Sequence, residues 1–234
     1  MREETGATSS DYAWDDEQRL ISQVSGGATT AWSYLPDGRR RQRKQGGTTT
    51  EYLWDENTLL WERGAGAAEA FFTRKPEGDH PLLAQQRDGT RRLYFSDLDG
   101  AVRLLLTDAG VVTDAYLTDA FGVEQLATGS MGNPYRFGSA YGYYRDAATR
   151  LYVRHRHLGT SWGTWLSRDP LDWAGAESYV YGHNNPLEFV DPLGLRAYTA
   201  KLCIDDGPKE DVAAILDQLK AGVGYGATSR LTSS

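Results

Sequence analysis

The chain is 234 residues long and carries a formal net charge of −7. That length holds one large domain, or one domain and a fragment, and it suffices to bury a core. The negative mean hydropathy and the lack of any run of about 20 apolar residues exclude a membrane-spanning helix, and the acidity argues against a broad nucleic-acid surface.

Met1-Arg2-Glu3-Glu4-Thr5-Gly6 has no apolar centre and is not a signal peptide, so export would depend on a signal elsewhere, as on a longer parent chain. The single cysteine, Cys203, excludes an internal disulfide and a thiolate-rich metal site. With 14 Tyr, 7 Trp and 26 Gly, the composition favours strands joined by tight turns, hence an all-β fold rich in hairpins.

Three segments align at a spacing of 20 residues: Tyr12-Ala13-Trp14-Asp15, Trp32-Ser33-Tyr34-Leu35 and Tyr52-Leu53-Trp54-Asp55. A fixed period of this length means stacked supersecondary units. The aromatics at i and i+2 fall on one face of a strand, and a turn such as Pro36-Asp37-Gly38 reverses the chain. Arg39-Arg40-Arg41-Gln42-Arg43-Lys44 is the one dense basic run; it reads as a solvated strand edge that resists strand addition. Gly64–Ala70 reads as a loop. Leu93-Tyr94-Phe95-Ser96-Asp97-Leu98-Asp99-Gly100 is another aromatic strand with an Asp-x-x-Gly turn, Tyr116–Gly122 repeats that pattern, and Asn133-Pro134-Tyr135-Arg136-Phe137-Gly138 follows. Leu151–His157 reads as one strand by alternation, which puts His155 and His157 on one side of it; two imidazoles alone make no metal site.

Next come Asp169-Pro170 and then the stretch Tyr179-Val180-Tyr181-Gly182-His183-Asn184-Asn185-Pro186-Leu187-Glu188-Phe189-Val190-Asp191-Pro192-Leu193-Gly194-Leu195. Beyond it the aromatics thin out. Asp206-Gly207-Pro208, the stripe Val212, Ile215, Leu216, Leu219, and Gly222 predict one short capped helix.

The stretch at 179–195 resembles the end of the Rhs-repeat-associated core of bacterial Rhs and YD-repeat proteins, and the twenty-residue units resemble YD repeats. The resemblance covers roughly residues 10–195. It implies YD-repeat β-hairpins in a curved sheet or partial β-shell, with residues 1–92 as the repeat region, 93–195 as the core and 196–234 as a variable C-terminal passenger segment. Within the motif, Tyr179, Tyr181, Gly182, Asn184, Asn185, Pro186, Pro192 and Gly194 are structural positions.

In relatives such as the C component of ABC-type toxin complexes, two Asp-Pro motifs flank an aspartyl-protease-like site. By that resemblance Asp169 and Asp191, 22 residues apart, are the candidate carboxylates, and the chain is cut once between Leu195 and Arg196. Two close carboxylates share a proton, so one activates water while the other polarises the carbonyl. The family's Asp-Pro-x-Gly has Asp172 in place of Gly, and Thr164 stands where an arginine is expected; Arg168 is the substitute charge partner. Against catalysis stands the plainer role of Asp-Pro, in which the carboxylate caps its own turn.

The function implied is structural: closing the shell and presenting a passenger, with release by self-cleavage after Leu195. Any enzyme activity is at most that of a single-turnover aspartyl-type autoprotease. The partners implied are the chain's own passenger, an upstream Rhs/YD shell and an immunity protein; the localisation is secreted or cell-surface. No nucleotide, dinucleotide or metalloprotease motif occurs, so no cofactor and no metal is expected. Two other classes stand beside this one: a carbohydrate or cell-surface binding β-module, which an exposed aromatic row would favour, and a stand-alone toxin enzyme fragment.

Overall fold

In the computed structural model, residues 2–5, 8–64, 69–74, 82–97, 99–171 and 177–199 are described. Thirteen strands form one antiparallel sheet in strict sequence order. They are β1 (Arg2–Thr5), β2 (Thr8–Trp14), β3 (Leu20–Ser25), β4 (Ala28–Tyr34), β5 (Arg40–Gln45), β6 (Thr48–Asp55) and β7 (Thr58–Gly64). The sheet continues through β8 (Ala70–Arg74), β9 (Leu82–Arg87), β10 (Thr90–Ser96), β11 (Val102–Leu106), β12 (Val112–Thr118) and β13 (Glu124–Ala127). It does not close into a barrel, since β1 and β13 are not paired with each other. A second sheet holds β14 (Tyr144–Ala147), β15 (Arg150–Val153), β16 (Arg156–Gly159) and β17 (Thr164–Trp165), and β18 (Phe189–Val190) pairs with β19 (Tyr198–Thr199). The fold is all-β, as the composition implies. The helix expected at 206–222 lies outside the described residues.

Two turn types alternate along the repeats. The two-residue loops Gly26-Gly27 and Gly46-Gly47 have positive φ at both positions, which matches the strand twist in a tight hairpin. The other ends use a five-residue loop: Leu35 N–H donates to the Arg39 carbonyl and Gly38 N–H to the Leu35 carbonyl. The same bonding recurs at 15–19, 97–101, 107–111 and 119–123. Gly38 has φ +86°, and a Cβ there would come within 2.9 Å of the His155 ring, so glycine is required twice over.

Of the i, i+2 aromatics, Trp14, Trp32, Tyr52 and Trp54 pack against rings of the second sheet. Trp32 packs on His157, Trp54 on Tyr152 and Tyr52 on Tyr144. Tyr52, Leu59, Phe72 and Leu82 from the large sheet share a core with Tyr135, Tyr144 and Tyr152. A second cluster joins Tyr143, Leu151, Val153, Leu158, Trp165 and Tyr181. The rings that a sugar-binding surface would display are therefore mostly interior.

The basic run is not an edge. β5 lies between β4 and β6, and Arg40 is fully buried. A register shift opposite Ser33 and Tyr34 interrupts the alternation of β5; Arg40 turns inward while Arg41 and Lys44 stay exposed. The Arg40 guanidinium forks onto Asp146, with both contacts at 2.6 Å, and lies 3.9 Å from the Tyr152 ring centroid. His157 Nε2 sits 3.1 Å from Arg40 Nη2 and 3.3 Å from Asp146 Oδ2. Burial drives the His157 pKa down to about 4 although Asp146 pulls it up. The cluster pins the second sheet to the first across more than 100 residues of sequence.

Leu151–His157 is a hairpin rather than one strand. Val153 pairs with Arg156 around the two-residue turn Arg154-His155, where Arg154 has φ +50°. His155 therefore sits at the turn and His157 within β16, and the two imidazoles do not share a strand face. Among the described residues, no group of three metal-ligating side chains occurs.

Candidate functional site

The β15–β16 hairpin carries Arg156 into the middle of the 178–196 segment. Its side chain is 3% exposed and lies on the Trp165 ring, 4.2 Å from the centroid. Nη2 is 3.0 Å from Asp191 Oδ2 and 3.0 Å from Asp169 Oδ2. Nη1 donates to the Ser178 carbonyl at 3.3 Å, and Nε donates to the Gly194 carbonyl. Burial lowers the Arg156 pKa, and the two carboxylates oppose that shift. The structure thus brings Asp169 and Asp191 together, but what they share is a cation. A guanidinium between two carboxylates relieves their repulsion without requiring a shared proton.

Arg168, the expected charge partner, is exposed; Arg156 reaches both carboxylates instead. The signal for Arg156 lay in Arg154-His155-Arg156, and reading that stretch as a continuous strand concealed it. A two-residue hairpin turn is what lets the arginine that follows it, Arg156, point back at the following loops.

Each aspartate also caps its own turn. Asp169 Oδ1 accepts Leu171 N–H at 2.9 Å. Asp191 Oδ1 accepts Leu195 N–H at 2.9 Å and Arg196 N–H at 3.1 Å. The second of these is the amide nitrogen of the expected cut. Asp191 itself is 2% exposed, with its backbone N–H and carbonyl both on the Tyr143 hydroxyl at 3.1 and 3.0 Å.

The motif residues shape the walls. Tyr181 is buried, with its hydroxyl 3.1 Å from that of Tyr143. Gly182 has φ +53°, and a Cβ there would meet the Phe189 carbonyl at 2.9 Å. Asn184 adopts φ +58°, a conformation asparagine tolerates. The Asn185 side chain donates to Glu188 Oε2 at 2.8 Å. Pro186 is half-buried and Tyr179 exposed, and the Tyr179 carbonyl accepts Trp165 N–H at 2.9 Å. Pro192 and Gly194 belong to the loop held by Arg154 and Arg156. A cleft of about 230 Å³ opens over Arg156, Asp169, His183, Asp191, Leu195 and Arg196. His183, at its rim, is exposed and 4.0 Å from Glu177.

An open antiparallel meander capped by a small sheet, with two carboxylates on one buried arginine beside a loop amide, defines the class of fold and site. Among solved structures, this architecture is similar to the crystal structure of TcdB2-TccC3, with a TM-score of 0.63 and 20% identity over 80% of this chain and 10% of that one. The Photorhabdus luminescens Tc holotoxin pore with a TccC3 mutation aligns with the same TM-score and identity over 83% of this chain. In sequence, the chain is 31% identical over 122 residues to the tRNA3(Ser)-specific nuclease WapA of Bacillus spizizenii, 48% of this chain and 5% of that protein. The chain thus spans a small part of each relative. No family model matches.

Proposed function

We propose that this chain is the closing end of an Rhs/YD-repeat, toxin-type shell, and that the Asp169–Arg156–Asp191 site cuts the chain once, between Leu195 and Arg196. In this reading residues 1–92 supply repeats, 93–195 form the core that closes the shell, and the segment from Arg196 is the passenger. The supporting likeness is to toxin proteins, one of them described as part of a holotoxin pore and one as a tRNA nuclease. Partners and export follow from the same reading: the passenger and further shell are bound, and the parent protein is secreted or surface-exposed.

The observation that carries the cleavage step is the Asp191 carboxylate on the N–H of Arg196. Water entering the cleft adds to the Leu195 carbonyl carbon while the Asp191 carboxylate takes its proton. The tetrahedral adduct collapses, the carbon–nitrogen bond breaks, and Asp191 delivers a proton to the departing Arg196 nitrogen. A carboxylic acid at Leu195 and an amine at Arg196 result. The bond and the acid belong to one chain, so no binding step is needed.

Intact mass of the purified chain tests this, alongside Asp191→Asn and Asp169→Asn. A product ending at Leu195, absent from both variants, is expected. A single uncut mass in all three leaves shell closure without cleavage, the reading that the turn-capping bonds of Asp169 and Asp191 favour.

A further inference from the structure

The loop that carries the expected cut is gripped carbonyl by carbonyl. Asp191 O accepts from Tyr143, Pro192 O from Arg154 Nη1, Leu193 O from His155 N–H at 3.2 Å, and Gly194 O from Arg156 Nε. The Leu195 carbonyl is the first in the run that accepts no hydrogen bond among the described residues. The grip therefore ends at the bond to be broken.

Arg154 is the unexplained member of this grip. It is 8% exposed, and among the described residues it forms no ion pair. Its partners are three carbonyls from three segments: Asn57 in the β6–β7 turn at 2.9 Å, Tyr141 at 2.7 Å, and Pro192. A buried cation without a counter-ion is costly, and its positive φ adds backbone strain. For stability alone a glycine or asparagine would suit this turn better. An expensive charge on a strained residue, bonded to the candidate scissile loop, points to a role in the chemistry.

We propose that Arg154 is a positioning residue for the cut at Leu195–Arg196. By tying the Pro192 carbonyl to the β6–β7 turn and to Tyr141, it fixes the loop so that Asp191 stays on the Arg196 nitrogen. The role rests on the cleavage reading and adds the large sheet as the anchor of the scissile loop.

The test follows cutting over time by intact mass after cell-free translation, for the wild type, Arg154→Lys, Leu105→Ala and Asp191→Asn. Melting temperatures are taken in the Asp191→Asn background, where no chain is cut. Arg154→Lys keeps a charge but loses the three-way fork; its cutting should slow by at least about tenfold, as misplacement of reacting groups does. Leu105→Ala opens a cavity in the Val102–Leu105–Tyr116 cluster, none of whose members bonds the loop. It should melt lower yet be cut at the wild-type rate. If Arg154→Lys does not fold, Arg154→Gly accepts the positive φ, and added methylguanidine should restore its cutting.

A wild-type rate in Arg154→Lys, rates in both variants that fall in step with melting temperature, or no rescue of Arg154→Gly overturns the positioning role while leaving cleavage intact. An uncut wild type overturns the cleavage reading and this role with it.

Discussion

Acid should loosen the joint between the two sheets, and His157 sets the pH at which it does. In the folded chain burial holds its pKa near 4, with Asp146 raising it and Arg40 and Arg150 lowering it; unfolded, it reverts to about 6.5. Between these values the unfolded chain binds a proton that the folded chain refuses. Stability therefore rises with pH across this window and falls on acidification. The loss is about 2 kcal/mol at pH 5 and about 3 kcal/mol once the pH is below 4. Asp146 is held well below the usual carboxylate range by Arg40, His157 and Arg150 against its own burial, so its contribution is lost at still lower pH. Burial also lowers His155, which adds a change of the same sign. Urea unfolding at pH 8, 6.5 and 5, in the uncut Asp191→Asn background, measures the sum, and His157→Gln isolates the His157 share. The variant should lose about 2 kcal/mol less between pH 8 and 5. Equal midpoints at pH 8 and 5 in the parent, or identical slopes in parent and variant, would refute the argument.

Arg40→Met takes the bidentate partner from the buried Asp146 and should destabilise the fold by about 3–5 kcal/mol in urea. Tyr143→Phe removes the hydroxyl that holds both backbone groups of Asp191; it should cost about 1–3 kcal/mol and slow the cut seen by intact mass. Gly194→Ala places a Cβ 2.7 Å from the Val153 carbonyl at φ +72°, so backbone must move. A loss of at least about 1–3 kcal/mol in thermal unfolding, with cutting reduced as the loop shifts away from Arg156, is expected.

The repeat was legible because strand and turn chemistry repeat locally. Rings at i and i+2 must share a face, and Pro36-Asp37-Gly38 marks a reversal, so Trp32, Tyr34, Tyr52 and Trp54 could be placed without knowing what they face. Arg40 could not be, because the local pattern shows only a basic run; what buries it is Asp146, 106 residues away. The same limit hid Arg156. Asp169, Asp191 and the proposed cut position were marked by a motif, but the arginine the two aspartates share comes from a hairpin whose turn, Arg154-His155, contains neither glycine nor asparagine. Alternation carries through such a turn unbroken, and only the pairing of Val153 with Arg156 reveals it.

The large sheet pairs each strand only with its neighbours in sequence. A ribosome could therefore lay it down hairpin by hairpin, each new strand finding its template already in place. Nothing in its hydrogen bonding waits for the C-terminus. The Arg40–Asp146 fork and the Arg154 bond to Asn57 wait for residues 146 and 154, and the loop with Asp191 comes later still. Under the proposed cleavage, the carboxylates would be assembled after the scaffold that aims them, and the direction of synthesis alone would protect a half-made chain from cutting itself.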